Sequence, residues 1–524
     1  MRLSFKSASR SAPDLFQEGL GMITAITILV ALGFLGWGFY RAKPFGKLGI
    51  LAWLQSVVLI APWLIFFGLS IVGLYLNLVS VLFLFVFSTG IYIFLGNRLR
   101  ALGQETLSKR ASALGQEAQQ AANKPEEAGG ADLTETSTES SQAKPGVVPD
   151  EPEVVPIPAD DLRAIQGLFG IDTFFATETI PYQEGAVFRG NLRGDPELTY
   201  ARLSENLQAH LGDRYRLFLV ESEDGKPVVI VLPSSRDPKP MTLTQKIVSV
   251  LLLLATFTTC LESGGLMRGF DFFSEPGRIG EVLPLAVGIV TVLAAHELGH
   301  WLLAKRYQIR LSFPFFIPTW QLGSFGALTR FESLLPHRTA LFDIAFAGPA
   351  AGGVVALVML LAGLVLSHQG SLFQVPTEFF KGSILVGTLA RVVLRESLQQ
   401  SIVDVHPLVI LGWLGLVITA LNLMPAGQLD GGRIVQAIYG RKIARRTTIG
   451  TIVVLGLVSL VNPLALYWAI VVLFLQRELE RPALNDLTEP DDARAALGLL
   501  ALFLMVATLL PLTPALAGRL GIGT

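Results

Sequence analysis

The sequence predicts a polytopic α-helical membrane protein that carries a small soluble α/β domain. Three observations lead there. Hydrophobic residues make up 51% of the 524, and charged residues only 16%, more apolar and less charged than a typical soluble chain. Apolar runs near the ~20 residues needed to cross a bilayer as a helix recur along the chain. Between two groups of such runs lies a polar block whose second half shows helix and strand patterns.

Three apolar runs come first, at about Gly21–Tyr40, Leu48–Phe67 and Ile71–Leu95, giving an expected N-terminal membrane region over residues 1–100. The leading polar stretch Met1–Leu20 is short for an organellar transit peptide, and no small-residue cleavage site follows it, so the first run reads as a retained helix. From 101 to 158 the chain turns to Ala, Gln, Glu, Ser, Thr and Pro with almost no aromatics. Such a segment cannot bury enough apolar surface to fold alone and reads as a linker.

Residues 159–240 form the expected soluble α/β domain. Leu162–Leu168 and Leu198–Leu211 have helical spacing. Tyr215–Leu219 and Val228–Leu232 read as strands joined at Asp224-Gly225, a turn dipeptide. The string Gly190-Asn191-Leu192-Arg193-Gly194 reads by itself as an ordinary turn. Apolar runs resume at Ile247–Cys260, Val282–Ala304, Phe342–Leu366, Leu408–Leu423, Ile449–Leu475 and Ala496–Leu516, with Lys381–Leu394 a weaker seventh candidate. These give a membrane core over 245–480 and a C-terminal loop and helix over 481–524. No internal repeat is visible, so a transporter built from inverted repeats is not indicated.

The formal net charge is −1, which supplies no field for nucleic acid. The single cysteine, Cys260, excludes an internal disulfide and a cysteine-based zinc site. Basic clusters follow the first run (Arg41, Lys43, Lys47), the third (Arg98, Arg100, Lys109, Arg110) and the run Val282–Ala304 (Lys305, Arg306, Arg310). With three leading helices all three clusters share one side, the cytoplasmic one by the positive-inside rule. The soluble domain then lies on that side too, while Arg2, Lys6 and Arg10 fall opposite.

The run Val282–Ala304 contains His296-Glu297-Leu298-Gly299-His300. Residues four apart share a helix face, so His296 and His300 can present two imidazoles to one metal ion. Glu297, beside the first, can take a proton from water held there; this is the H-E-x-x-H pattern of zinc hydrolases. Three ionisable groups within a membrane helix are costly, which argues for a function. A catalytic zinc takes three protein ligands and leaves one position open. Asp430, within Asn422-Leu423-Met424-Pro425-Ala426-Gly427-Gln428-Leu429-Asp430-Gly431-Gly432, is the expected third. Pro425 breaks the preceding helix, and broken helices at membrane depth line cavities.

Together these two segments resemble the site-2 protease family of intramembrane zinc proteases, peptidase family M50, over roughly Ile247–Leu475. The resemblance implies that one zinc ion is held by His296, His300 and Asp430, with Glu297 as general base. It further implies that Asn422 and Pro425 face a transmembrane protein substrate. Leu322–Phe331 and Ala347–Gly353 are more closely similar to the EGY branch of chloroplasts and cyanobacteria, which also carries a Gly-Asn-Leu-Arg-Gly string like Gly190–Gly194. That implies a multi-pass protein of a plasma or thylakoid membrane, in contact with lipid. About 35 residues separate Arg306 from Phe342, too few for the PDZ domain that many site-2 proteases insert there. Leu311–Phe331, with Pro314, Pro318, Gly323 and Gly326 among aromatics, is expected to form a re-entrant hairpin that offers a strand edge to an unwound substrate. In this reading water attacks the peptide carbonyl as Glu297 takes its proton, and Asn422 is a candidate oxyanion donor. Two other readings fit the motif less well. A membrane zinc transporter needs polar positions spread over several helices. A catalytically silent zinc-binding scaffold needs a fourth ligand, for which His337, His368 and His406 are the available histidines.

Overall fold

The polar block after the linker folds because its strands and two helices supply a shared apolar core. The computed structural model describes residues 28–71 apart from 30, scattered positions between 84 and 99, and residues 157–522 apart from 183, 223, 321, 461–462 and 476–477. The expected linker, up to residue 156, lies outside the described residues, as does most of the third apolar run. The chain forms two compact units, Met1–Glu153 and Val154–Thr524. In the first, residues 31–42 are helical, and a helix α1 runs over Gly46–Ile71. At 1.5 Å per residue, α1 is about 39 Å long, enough to cross a bilayer.

The second unit opens with α2 (Ala159–Gln166) and a hairpin of β1 (Phe174–Tyr182) and β2 (Gly185–Leu192). Then come α3 (Pro196–Leu211), β3 (Tyr215–Glu221) and β4 (Pro227–Pro233). The four strands form one antiparallel sheet in the order β1-β2-β4-β3. Phe188, Leu217, Leu219, Val229 and Val231 are buried on one face with Ile165, Leu203 and Leu207 from the two helices. Phe218, Val220 and Val228 bury the other face against Leu334 and Leu484. This two-sided burial explains why β3 is apolar nearly throughout. The expected turn at Gly190–Gly194 is corrected: Gly190, Asn191 and Leu192 are the last residues of β2 and pair with Ala176, Phe175 and Phe174. A Cβ at Gly190 would sit 2.1 Å from the Phe175 carbonyl oxygen, so the strand pairing itself requires glycine there.

The membrane-type helices follow. α4 (Leu243–Met267) begins with a capping box, Thr242 to Gln245, that satisfies its first free amides. α5 spans Ile279–Arg306 and α6 spans Arg338–Leu366. Between them β5 (Phe315–Thr319) and β6 (Gly323–Leu328) form the expected hairpin, tied to α4 by Ser249 Oγ donating to the Pro314 carbonyl at 2.8 Å and Thr259 Oγ1 to that of Gly323 at 2.6 Å. An insert of β7 (Phe373–Pro376), α7 (Ile384–Leu394) and β8 (Ile402–Val405) leads to α8 (Pro407–Asn422). α9 (Asp430–Val458), α10 (Pro463–Leu475), α11 (Asp492–Leu509) and α12 (Pro514–Leu520) complete the chain.

α6 packs along both α5 and α8, and α4 lies beside α5. A Cβ at Gly412 would fall 2.3 Å from the Leu360 amide nitrogen; this close approach is how helices pack where lipid supplies no hydrophobic drive. Among the described residues, five helices are long and apolar enough to cross a membrane: α1, α4, α5 with its leading 3₁₀ turn, α6 and α11. Three expectations change. Ile449–Leu475 is not one span but the end of α9 and all of α10, because Pro463 cannot continue a helix. Lys381–Leu394 holds only the 11-residue α7, about 16 Å long and too short to cross. The last run stops at Leu509, before Pro511.

Candidate metal centre

α5 puts its two histidines on one face, and α6 closes over them. His296 and His300 are buried, and Glu297 is half-buried between them. His300 Nδ1 lies 2.8 Å from the Ile344 carbonyl oxygen on α6. A carbonyl can only accept, so Nδ1 carries the proton and the Nε2 lone pair faces inward. α6 comes this near because residue 348 is glycine: a Cβ there would land 2.1 Å from His300 Nε2.

The third expected residue arrives from the other side. α8 ends at Asn422, the chain runs without helix through Pro425, and Asp430 opens α9. Asp430 Oδ2 lies 3.0 Å from His296 Nε2 and 3.4 Å from His300 Nε2, and the two nitrogens are 3.1 Å apart. On a tetrahedral zinc with bonds of ~2.0–2.1 Å, neighbouring ligand atoms stand about 3.3 Å apart. The residues therefore fit such an ion, with a fourth position left for a small ligand. His296, Glu297 and His300 also bring ligand-type atoms within 4.8 Å of one another, but Glu297 Oε2 already accepts from Thr329 Oγ1 at 2.8 Å. Asp430 is the closer third partner of the imidazoles.

A cavity of about 20 Å³ adjoins the centre, lined by residues that include His300, Thr329, Asn422, Gln428, Asp430 and Arg433. A water molecule needs about 10–15 Å³. The buried Asn422 amide donates to the Phe325 carbonyl at 3.2 Å and to that of Ile418 at 2.9 Å, so it pins β6 to α8. Pro425 is not among the cavity's lining residues; its carbonyl accepts from Thr451 Oγ1 at 3.4 Å. Gly190, Asn191 and Leu192 lie in the soluble domain's sheet. The other histidines do not join the centre. His337 and His406 cap α6 and α8 by accepting amide hydrogens, and His368 Nδ1 is bonded to the Gln369 carbonyl.

Several residues at the centre carried no role in the sequence reading. Arg433 is buried three residues after Asp430 and 3.9 Å from its Oδ1. It pairs with buried Glu480 at 2.9 Å and donates to the Thr329 carbonyl at 2.8 Å. A charge three residues from a metal-ligand candidate, on the same helix face, is a signal that could have drawn attention to Arg433. Thr329 gives no such signal.

Comparison with known proteins adds independent support. Residues 163–240 match the EGY3 middle domain and residues 284–462 match peptidase family M50. The probable zinc metalloprotease EGY1, chloroplastic, of Arabidopsis thaliana is 39% identical over 403 residues, covering 70% of this chain and 74% of the relative. Its Oryza sativa subsp. japonica counterpart is 38% identical over 402 residues, 69% of each chain. The probable zinc metalloprotease EGY2, chloroplastic, of Arabidopsis thaliana is 38% identical over 371 residues, 69% of this chain and 67% of the relative. No solved structure matches. On the strength of these matches the chain belongs to peptidase family M50 and to its EGY group.

Proposed function

We propose that this zinc metalloprotease of the site-2 type cuts membrane-spanning protein substrates with His296, His300 and Asp430 as the ligands of one zinc ion and Glu297 as the general base. The observation that carries the reading is the triangle of His296 Nε2, His300 Nε2 and Asp430 Oδ2, with edges of 3.0–3.4 Å. When bound, the ion supplies a Lewis acid that polarises the peptide carbonyl and acidifies water. The residues do the rest. Glu297 takes the proton of the attacking water and delivers it to the leaving nitrogen. Asn422 and Pro425 are the substrate-facing candidates; Asn422 lines the cavity beside the centre, and its amide can reach a developing oxyanion once it releases the Phe325 carbonyl. The β5–β6 hairpin offers an edge to the unwound substrate.

His300 lies six residues and His296 ten residues before the end of α5 at Arg306, so the reaction takes place about 9–15 Å in from that end. The same end meets the soluble domain's exit, where Met241 N donates to Glu332 at 2.9 Å. With Lys305, Arg306 and Arg310 there, we assign this face to the cytoplasmic side of a plasma or thylakoid membrane, with 159–240 as the soluble domain and 101–158 as the linker. The test is Glu297→Gln: cleavage of a tagged single-span membrane protein should fall about 10²–10⁴-fold while zinc content stays at one per chain. Cleavage that survives the substitution sinks the assignment of the base. In the same assay, an unchanged rate in Asn422→Ala removes the oxyanion role.

A further inference from the structure

A general base works only if its carboxylate is held at the attacking water, and Glu297 is a half-buried side chain with three rotatable torsions. What holds it is visible. Thr329 Oγ1 donates to Glu297 Oε2 at 2.8 Å, leaving Oε1 for the water. Thr329 directly follows β6, and its own carbonyl is gripped by Arg433 Nη2 at 2.8 Å. Arg433 sits on α9 three residues after Asp430, 3.9 Å from its Oδ1. The guanidinium is fixed in turn by Glu480, which accepts from Nε at 3.1 Å and from Nη2 at 2.9 Å, and by the Phe331 ring, 4.8 Å away. Arg433 and Glu480 are both buried. A buried ion pair is a poor source of stability but a rigid one when its hydrogen bonds are satisfied.

We propose that Thr329 is the positioning residue for Glu297, and that the buried Arg433–Glu480 pair is the clamp that fixes Thr329 relative to Asp430. The inference rests on Glu297 being the base. One guanidinium thus sets the distance between the segment that orients the base and the helix that carries the third ligand. An error near 1 Å in such a distance costs about a hundredfold in rate, so a clamp that spans both elements has a catalytic use that neither hydrogen bond has alone.

The test uses the full-length enzyme and a fluorescently tagged single-span membrane protein that the unmodified enzyme cleaves. Thr329→Val keeps shape and loses the donor; it should lower kcat roughly 10–100-fold and leave KM and zinc content unchanged. The visible spectrum of the cobalt-substituted protein, which reports ligand geometry, should not move. Thr329→Ser restores the hydroxyl and should recover most of kcat. Arg433→Lys, which cannot bridge the same partners with a point charge, should lower kcat like Thr329→Val. In a Glu297→Gln background Thr329→Val should add no further loss. The inference is overturned if Thr329→Val or Arg433→Lys has the unmodified kcat, if Thr329→Ser fails as Thr329→Val does, or if the losses multiply in the Glu297→Gln background. Its failure is distinct from that of the underlying reading: an active Glu297→Gln enzyme removes the base, whereas an inactive, zinc-loaded one beside a fully active Thr329→Val removes only the positioning.

Discussion

His300 has one nitrogen committed to the Ile344 carbonyl and the other turned to His296 and Asp430. The first bond fixes the tautomer that leaves the lone pair of the second nitrogen available to a metal ion. This depends on residue 348 having no side chain. Gly348→Ala would set a methyl 2.1 Å from His300 Nε2. Zinc content, measured by metal analysis of the purified protein, should fall at least tenfold while the helix content by circular dichroism is kept; a fully loaded Gly348→Ala protein would show that α6 can move. At this scale the sequence was partly readable. The spacing of His296 and His300 gave their shared face, and the scarcity of acids pointed to Asp430. Thr329 and the Arg433–Glu480 pair were hidden, because each contact joins residues roughly 30 to 100 positions apart.

Helix ends do much of the work at the next scale. His337 caps α6 by accepting the Ala340 amide hydrogen at Nδ1, 3.2 Å away, which only a neutral imidazole can do. Burial pushes its pKa below the ordinary 6.5. The folded state therefore favours the neutral form, and the stability this gives is complete above pH 6.5 and lost as the pH falls through the depressed folded value. Thermal stability should drop as the pH falls below 6.5, and His337→Asn, a cap that does not titrate, should flatten that part of the profile. An unchanged profile would clear His337 of the effect. The run Ile449–Leu475 shows why elements were harder to read than residues: apolar composition on both sides of Pro463 hid a break that the proline itself announced. β1 was missed for another reason. It is an edge strand, and its residues Phe175 to Tyr182 are mostly exposed or half-buried, so the alternation that marks a strand is faint.

Across the second unit, one short segment ties the soluble sheet to the candidate metal centre. Leu219 of β3 donates to the Leu484 carbonyl at 2.8 Å and accepts from the Asp486 amide at 2.9 Å. The same segment donates from Leu484 to the Leu335 carbonyl and from Asn485 to that of Pro336, and four residues earlier Glu480 holds Arg433. Leu484→Pro removes one of these donors. Amide exchange at Leu219 and Asp486 should speed up roughly tenfold, as expected for about 1.4 kcal/mol of lost hydrogen bonding; protection equal to that of the unmodified chain would mean the sheet is held by its side chains alone. The sequence by itself determined the class of molecule, the membrane-type helices, the soluble block, the paired histidines and the broken helix before Asp430, since these follow from local composition and periodicity. Only the tertiary structure decided that Asp430 meets both imidazoles, that Gly348 makes room for one of them, and that Arg433 binds Thr329, the partner of Glu297, to the helix that Asp430 opens. Those facts depend on distances between elements far apart in the chain, which no local pattern encodes.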